Sequence, residues 1–368
     1  MKNTLAPLRI VLGGLFIFSG LVKLNDPVGT AIKLEEYFEV FSESFSPLFH
    51  AFIPWALPMS LAFCVAEVVL GLAVLLRHRM RLTMWLMLLL IVFFTFLTFY
   101  SAYFDKVTDC GCFGDFVKLK PWTSFGKDVF LLVLTLVLLV YSNRMPNMLP
   151  RKQGDGILAL ASLLFGFVGY WAIVHLPYAD WRPYKMGNHI PTQMKPSAAF
   201  QYRYVMEKDG KREEMEEYPT DTTYKFIEME ILNPEAAPKI TDYRVWNDEA
   251  DYTDSTFVGN KLLIIVRADD KIPAGEMAKI NALVSGLGQA KPKVDAWVVT
   301  SLDRQRYEAF RHEAQLAAPY FYADATVLKT IMRTQIGTWL LKDGKVAGKW
   351  GLADTPTADE VRQSLAQD

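Results

Sequence analysis

Two of the three cysteines in the chain lie in one short stretch, Asp109-Cys-Gly-Cys-Phe-Gly-Asp115, between two long apolar runs. Only one glycine separates Cys110 from Cys112. Disulfide-bonded residues need Cα atoms roughly 4.4 to 6.8 Å apart. An extended i, i+2 pair lies at the top of that range, and the glycine can supply the bend that shortens the distance. The pair is therefore able to close a small, strained ring, which is the easily reduced kind of disulfide.

Three interpretations of Cys110 and Cys112 are open from the residues alone. The first is a redox-active pair, in which one thiolate is the nucleophile and the other is the resolving thiol. The second is a static disulfide that pins the loop against the neighbouring helices. The third is a soft-metal or sulfur-carrying site, but two thiolates with no histidine nearby in the sequence bind a metal poorly. We predict no metal.

A carboxylate, Glu67, lies inside another apolar run, three residues after the remaining cysteine, Cys64. At this spacing both side chains share one face of a helix. A charge in hydrocarbon is costly and generally faces the bundle interior with a partner. Lys23 is the predicted partner of Glu67, and Asp26 can pair with the same lysine. Glu67 is then either half of a structural ion pair or part of a proton relay or small-molecule site, whereas Cys64 is a weaker candidate because such cysteines are usually apolar filler.

Five apolar runs are long enough to cross a membrane. They cover residues 5–23, 54–76, 82–104, 125–141 and 157–176. The fourth is shortened by Lys127 and Asp128. No small-x-small cleavage site follows the first run, which therefore predicts an uncleaved helix rather than a signal peptide. Residues 30–52 place apolar and acidic residues on opposite helix faces, as an amphipathic interfacial helix does.

The short loops indicate the orientation. Basic residues follow the second span (Arg77, Arg79, Arg81) and the fourth (Arg144, Arg151, Lys152). By the positive-inside rule these loops and the amino terminus face the cytoplasm. The cysteine loop, although it also carries lysines, and everything after Trp181 then lie outside. We predict a multi-pass protein of the bacterial inner (plasma) membrane with these parts in the periplasm, where disulfides persist.

Beyond Trp181 the sequence predicts a soluble part. Residues 183–256 are predicted to be a linker and β-hairpin region that turns at Asp209-Gly210. Residues 257–368 follow the order strand, helix, strand, helix, hairpin, helix, which resembles the thioredoxin fold. Where redox-active members of that family carry a CxxC pair, residues 268–275 hold no cysteine, and Gly337 replaces the expected cis-proline. The resemblance therefore implies a redox-silent domain used for binding or support.

The composition is typical of a membrane part joined to a soluble part. It is 51% hydrophobic and 21% charged, with a mean hydropathy of +0.14. The net charge is −1, and no basic stripe with interleaved aromatics occurs. These features exclude nucleic acid as an expected partner.

Three elements carry a further resemblance: Gly14 to Gly20 followed by Lys23-Leu-Asn-Asp-Pro27, Glu67 in the second span, and the cysteine stretch before the fourth. Over residues 5–142 the chain resembles the DoxX superfamily, and most closely the branch that includes the methylamine-utilisation protein MauE. Members are four-helix inner-membrane proteins linked to maturation of a disulfide-rich enzyme subunit or to thiosulfate:quinone oxidoreduction. The resemblance implies a redox pair at Cys110 and Cys112 and intramembrane charges at Lys23 and Glu67. The sequence identifies no cofactor; a quinone as electron acceptor rests on analogy with other four-helix thiol oxidases.

We therefore predict a membrane α-helical bundle followed by an α/β thioredoxin-like domain. The predicted parts are a four-helix DoxX/MauE-like domain (1–145), a fifth transmembrane helix (146–182), the linker and hairpin region (183–256) and the thioredoxin-like domain (257–368). The leading hypothesis is a thiol–disulfide oxidoreductase or maturation factor in the lipid bilayer, acting on an extracytoplasmic client or redox partner protein. The alternative is a non-enzymatic assembly or scaffold protein whose Cys110–Cys112 bridge is purely structural.

Overall fold

The structure is a computed structural model that describes residues 5–107, 114, 116–117, 119–268, 274–288 and 292–367. Cys110 and Cys112 lie outside the described residues, as do residues 269–273. The chain divides into two compact units, Met1–Trp181 and Arg182–Asp368.

Within its described residues, the first unit is built from six α-helices. They are α1 (Leu5–Asn25), α2 (Pro27–Ser44), α3 (Ala56–Leu75), α4 (Met80–Phe104), α5 (Pro121–Val140) and α6 (Arg151–Val174). A 3₁₀ segment, Pro47–Trp55, leads directly into α3. Five helical stretches, all except α2, are long and apolar enough to cross a membrane. The five predicted spans are confirmed, and the chain is an integral membrane protein surrounded by lipid.

Helix α2 is the predicted amphipathic helix. Asp26 caps its start, where its carboxylate accepts a hydrogen bond from the Gly29 N–H at 2.9 Å. The helix ends before Pro47, which has no N–H to continue it. Its apolar face is buried, with Phe41 4% exposed and packed against Tyr100 of α4 at 4.9 Å between ring centroids. The apolar face of α2 thus covers part of the bundle.

Helices α1 and α3 cross at unusually short range because glycines line the contact. A Cβ added at Gly71 would lie 2.7 Å from the Gly13 carbonyl oxygen, and one added at Gly13 would lie 2.9 Å from the Gly71 carbonyl oxygen. Small residues at such crossings allow the backbones of membrane helices to approach closely. Gly14, on another face of α1, has no neighbour within 4 Å of a Cβ built there.

The second unit contains a small antiparallel sheet with the strand order β2-β1-β3. Its strands are β1 (Tyr202–Lys208), β2 (Lys211–Met215) and β3 (Lys225–Ile231). The predicted hairpin turns at Asp209 and Gly210, both of which have positive φ. The sequence did not predict β3.

A larger five-stranded sheet has the order β6-β5-β4-β7-β8. Its strands are β4 (Asn260–Val266), β5 (Asp295–Thr300), β6 (Tyr320–Tyr322), β7 (Ile336–Lys342) and β8 (Lys345–Gly351). Strands β4, β5 and β6 run parallel, whereas β7 and β8 are antiparallel to their neighbours. The helices of this unit are α7 (Ile190–Gln193), α8 (Ala274–Leu287), α9 (Arg304–Ala314), α10 (Ala325–Ile331) and α11 (Ala358–Gln367).

The segment expected to be a linker packs on this sheet. The Gly187 N–H donates to the Val346 carbonyl at 2.9 Å, and the Ile190 N–H donates to the Gly344 carbonyl at 2.9 Å. Ile190 is completely buried. These residues are therefore part of the body of the second unit.

Replacing Gly71 by alanine is expected to destabilise the bundle by about 1–3 kcal/mol, because the new methyl group overpacks the α1–α3 contact. The matched control is Gly14→Ala, which adds the same methyl group where space is open. Thermal unfolding of the purified protein in detergent measures both. Equal midpoints for the two variants would contradict the close-packed crossing.

Stability near the ends of β4 and β5 is expected to depend on pH. Asp295 accepts from Lys261 Nζ at 2.6 Å, and this partner, together with Lys293, holds the pKa of the carboxyl below its usual value. Because the folded-state pKa is lowered, the stabilisation is present above the unfolded pKa of about 4 and is lost as the pH falls through the folded value. Amide hydrogen-exchange protection factors in β4 and β5, which compare each measured rate with the intrinsic rate at the same pH, should fall at acid pH less in Asp295→Asn than in the parent protein.

Candidate functional site

Two predicted charges meet in the interior of the helix bundle. Lys23, in the last turn of α1, places its Nζ 2.5 Å from Glu67 Oε1 on α3. The two residues are 6% and 2% exposed. The lysine ammonium also lies 4.6 Å from the ring centroid of Phe94 on α4, an attractive cation–π contact. The ion pair expected from the cost of a lone intramembrane charge is confirmed.

A glycine brings the two helices together beside this pair. A Cβ added at Gly20 on α1 would lie 2.6 Å from Val68 Cγ2 and 2.9 Å from the Cys64 carbonyl oxygen on α3. Since no side chain fits there, α1 and α3 approach closely one turn from Lys23 and Glu67. The short lysine-to-carboxylate distance follows from this approach.

A second ion pair lies on α5 and was not chosen as a site from the sequence. Lys127 Nζ is 2.6 Å from Asp128 Oδ1, and Asp128 is 1% exposed. The Thr98 hydroxyl of α4 donates to Asp128 Oδ2 at 3.1 Å. The sequence feature that identified Glu67, a carboxylate inside an apolar span, was also present at Asp128.

Both ion pairs border one internal cavity of about 30 Å³. Its polar wall consists of Ser19, Lys23, Glu67, Lys127 and Asp128, and its apolar wall of Leu15, Phe16, Ile91, Phe94 and Leu131. That volume suits about one water molecule. Pockets for drug-sized ligands have volumes of the order of 300 Å³ or more. The cavity therefore has a size suited to water.

The cluster formed by Lys23, Glu67, Lys127 and Asp128 combines two cationic with two anionic groups. Glu67 Oε2 has no hydrogen-bond partner among the described residues, although it is buried. A buried acceptor without a partner is costly, and water bound in the cavity would satisfy it. The arrangement can hold charge balanced inside hydrocarbon.

The remaining predicted residues lie at different places. Cys64 is a free, fully buried thiol on α3 that packs with Leu24 and Val68 and does not border the cavity. Asp26 caps α2. Cys110 and Cys112, the leading candidates from the sequence, lie outside the described residues.

The described residues that flank the cysteines in the α4–α5 loop make firm contacts. Val107 is 3% exposed, and its carbonyl accepts a hydrogen bond from the Ser101 hydroxyl. Phe116 contacts Phe18 of α1 and Trp181, with ring centroids 6.0 and 4.9 Å apart. The loop is thus attached to the bundle on both sides of the thiol pair.

Breaking the Lys23–Glu67 pair from one side is expected to destabilise the bundle by about 3–5 kcal/mol, because it leaves an unpaired buried charge. The double variant Lys23→Met/Glu67→Leu should lose much less than the sum of the two single variants. Unfolding in detergent of the parent, both single variants and the double variant gives the coupling free energy. The control is Lys33→Met/Glu36→Leu, which removes a half-exposed pair on α2; additive losses at Lys23 and Glu67 would show that the two do not interact.

Comparison with known proteins is consistent with this architecture. Residues 1–141 match the family described as Methylamine utilisation protein MauE. Residues 200–232, which contain the three-stranded sheet, match the family described as Domain of unknown function (DUF8463). Neither a curated protein nor a solved structure matches the chain. The match covers the charge cluster and the cysteine stretch, so residues 1–141 of this integral membrane protein are similar to the MauE family.

Proposed function

We propose that this protein is a membrane thiol–disulfide redox or maturation factor in which Cys110 and Cys112 are the exchanging pair. One observation carries the proposal: the residues that match the MauE family combine this thiol pair with a buried, charge-balanced cluster on α1, α3 and α5. Oxidation of a dithiol needs groups that accept protons, since each new disulfide releases two electrons and two protons.

The proposed exchange proceeds through a mixed disulfide. A client thiolate attacks one sulfur of the Cys110–Cys112 disulfide and releases the other as a thiolate. The second client thiolate then attacks the mixed disulfide, so that the client leaves oxidised and the pair is left reduced. A quinone or a partner protein takes the two electrons, and two protons accompany them when the acceptor is a quinone.

In this proposal the charge cluster relays protons. Its cavity has room for about one water, which supports proton transfer through Glu67 and argues against a quinone bound between the ion pairs. The acceptor then contacts the thiol pair from outside the cavity. Cys64 has no part in the exchange, because it is fully buried in apolar packing.

The orientation and the second unit complete the proposal. The arginine-rich loops face the cytoplasm of a bacterium, so that the thiol pair and the second unit face the periplasm. A thioredoxin-like fold for residues 257–368 is supported by the order β5-β4-β7-β8, with β4 and β5 parallel and β7 and β8 antiparallel. Gly337, at the position of the usual cis-proline, has no room for a side chain, because a Cβ would lie 2.4 Å from Met332 Sδ.

The second unit contains no cysteine, since the chain's three cysteines are at 64, 110 and 112. It therefore cannot exchange disulfides itself, and its proposed role is to dock the client. Under the alternative hypothesis the same unit docks an assembly partner, and the thiol pair is a permanent bridge.

Thiol trapping tests the proposal. In membranes that contain the full chain, Cys110 and Cys112 should become alkylatable after addition of dithiothreitol and return to the oxidised form after addition of a quinone or an oxidised partner. Cys110→Ser and Cys112→Ser should each abolish the cycle, whereas the control Cys64→Ser should leave it intact. A pair that stays oxidised throughout, with serine variants that lower stability but retain function, would establish the scaffold instead.

A further inference from the structure

A second cavity, of about 540 Å³, lies at the start of α4 and is formed with the segment that precedes α6. Its volume is in the range of about 300–1,000 Å³ that small ligands occupy. Arginines and an asparagine form its polar wall, and a leucine and a tryptophan form much of its apolar wall. These residues are Arg79, Arg81, Asn147, Arg151, Leu82 and Trp85.

A hydrogen-bond network fixes the polar wall. Asp155 of α6 accepts two bonds from the Arg79 guanidinium, at 2.9 and 2.6 Å, and lies 2.8 Å from His78 Nε2. The Arg79 backbone N–H donates to Asn147 Oδ1 at 3.0 Å. Gly154 leaves the space that the buried His78 ring occupies, since a Cβ there would lie 2.1 Å from His78 Nδ1. The loop before α4 is thus held against the first turns of α6.

The pocket carries excess positive charge. Asp155 is already paired with Arg79, whereas Arg81 and Arg151 are exposed and make no ion pair within the part of the chain that the structure describes. The first turn of α4, at Met80, also lies in the wall and contributes the positive end of a helix dipole. Guanidinium groups bind phosphate oxygens in bidentate fashion, which makes a phosphate ester the complementary ligand.

The apolar wall selects among phosphate-bearing ligands. Leu82 and Trp85 are 52% and 55% exposed, and the same face of α4 continues along the span with Leu86 and Leu89, which are 48% and 71% exposed. An acyl chain that starts at the pocket would lie along this stripe. A free phosphate would contact neither the tryptophan nor the stripe.

We propose that this pocket binds the headgroup phosphate of an anionic glycerophospholipid, held by Arg81 and Arg151 with its acyl chain along the exposed face of α4. Basic pockets beside membrane spans recognise anionic lipid headgroups in this way. The site is separate from the thiol pair and from the internal charge cluster, so that the proposal stands whether or not Cys110 and Cys112 exchange disulfides.

Native mass spectrometry of the full chain in detergent tests the proposal. Phosphatidylglycerol is expected to bind saturably and at least about tenfold more tightly than phosphatidylcholine, which has no net charge. Inorganic phosphate at the same concentration should not displace it. Equal binding of the two lipids, or displacement by inorganic phosphate at comparable affinity, would overturn the proposal; displacement would identify a site for a soluble anion.

Charge-matched variants locate the site. Arg81→Gln/Arg151→Gln should weaken phosphatidylglycerol binding by roughly 10- to 30-fold. Each arginine beside the lipid surface raises the binding affinity by about fivefold or more. The control Arg144→Gln/Lys152→Gln removes the same charge near α6 from residues that do not line the pocket, and should change binding less than about twofold. Equal losses in the two variants would show diffuse attraction to a basic surface and overturn the proposed pocket.

A third variant covers the case in which the glutamine variant does not fold. Arg81→Lys/Arg151→Lys keeps both charges but removes the bidentate fork. It should bind phosphatidylglycerol more weakly than the parent and still prefer it to phosphatidylcholine. Loss of that preference, or unchanged affinity, would contradict phosphate binding by the two guanidinium groups.

Discussion

The requirement that a charge inside hydrocarbon has a partner governs the arrangement of the first unit. Glu67 is placed deep in α3, where a lone carboxylate would be strongly unfavourable. Lys23 reaches it from α1, and the glycine contacts at Gly20 and Gly71 allow the two helices to approach closely enough for the pair to form. The position of α1 along α3 is therefore fixed by the Lys23–Glu67 ion pair and by the glycines, which have no side chain at the contact between the two helices.

The same requirement connects the other two helices of the bundle. Asp128 on α5 is neutralised by its neighbour Lys127 and receives a hydrogen bond from Thr98 on α4. Because both ion pairs face one small cavity, the four helices share a polar centre enclosed by apolar packing. Such a centre specifies which helices are neighbours.

The two ends of the bundle differ in chemistry. One end carries the cysteine loop, which is attached through Val107 and Phe116. The opposite end is basic, and Asp155 there fixes Arg79 and His78 so that Arg81 and Arg151 are left for another anion. The proposed redox chemistry and the proposed lipid site thus belong to opposite ends of the same helices, with the charge cluster between them.

The sequence by itself determined the five apolar spans and the need of Glu67 for a cationic partner, because hydropathy and the cost of an isolated charge are properties of local sequence. It did not predict that Asp128 is buried. Lys127 and Asp128 are adjacent and so do not face the same side of α5. The contact with Thr98 on α4 shows that the side with Asp128 is internal. It also missed β6, which has three residues, and β3, whose charged residues resemble a loop. Only the tertiary structure decided which charges share a cavity and which arginines make no ion pair with another described residue, because those contacts join residues far apart in the chain.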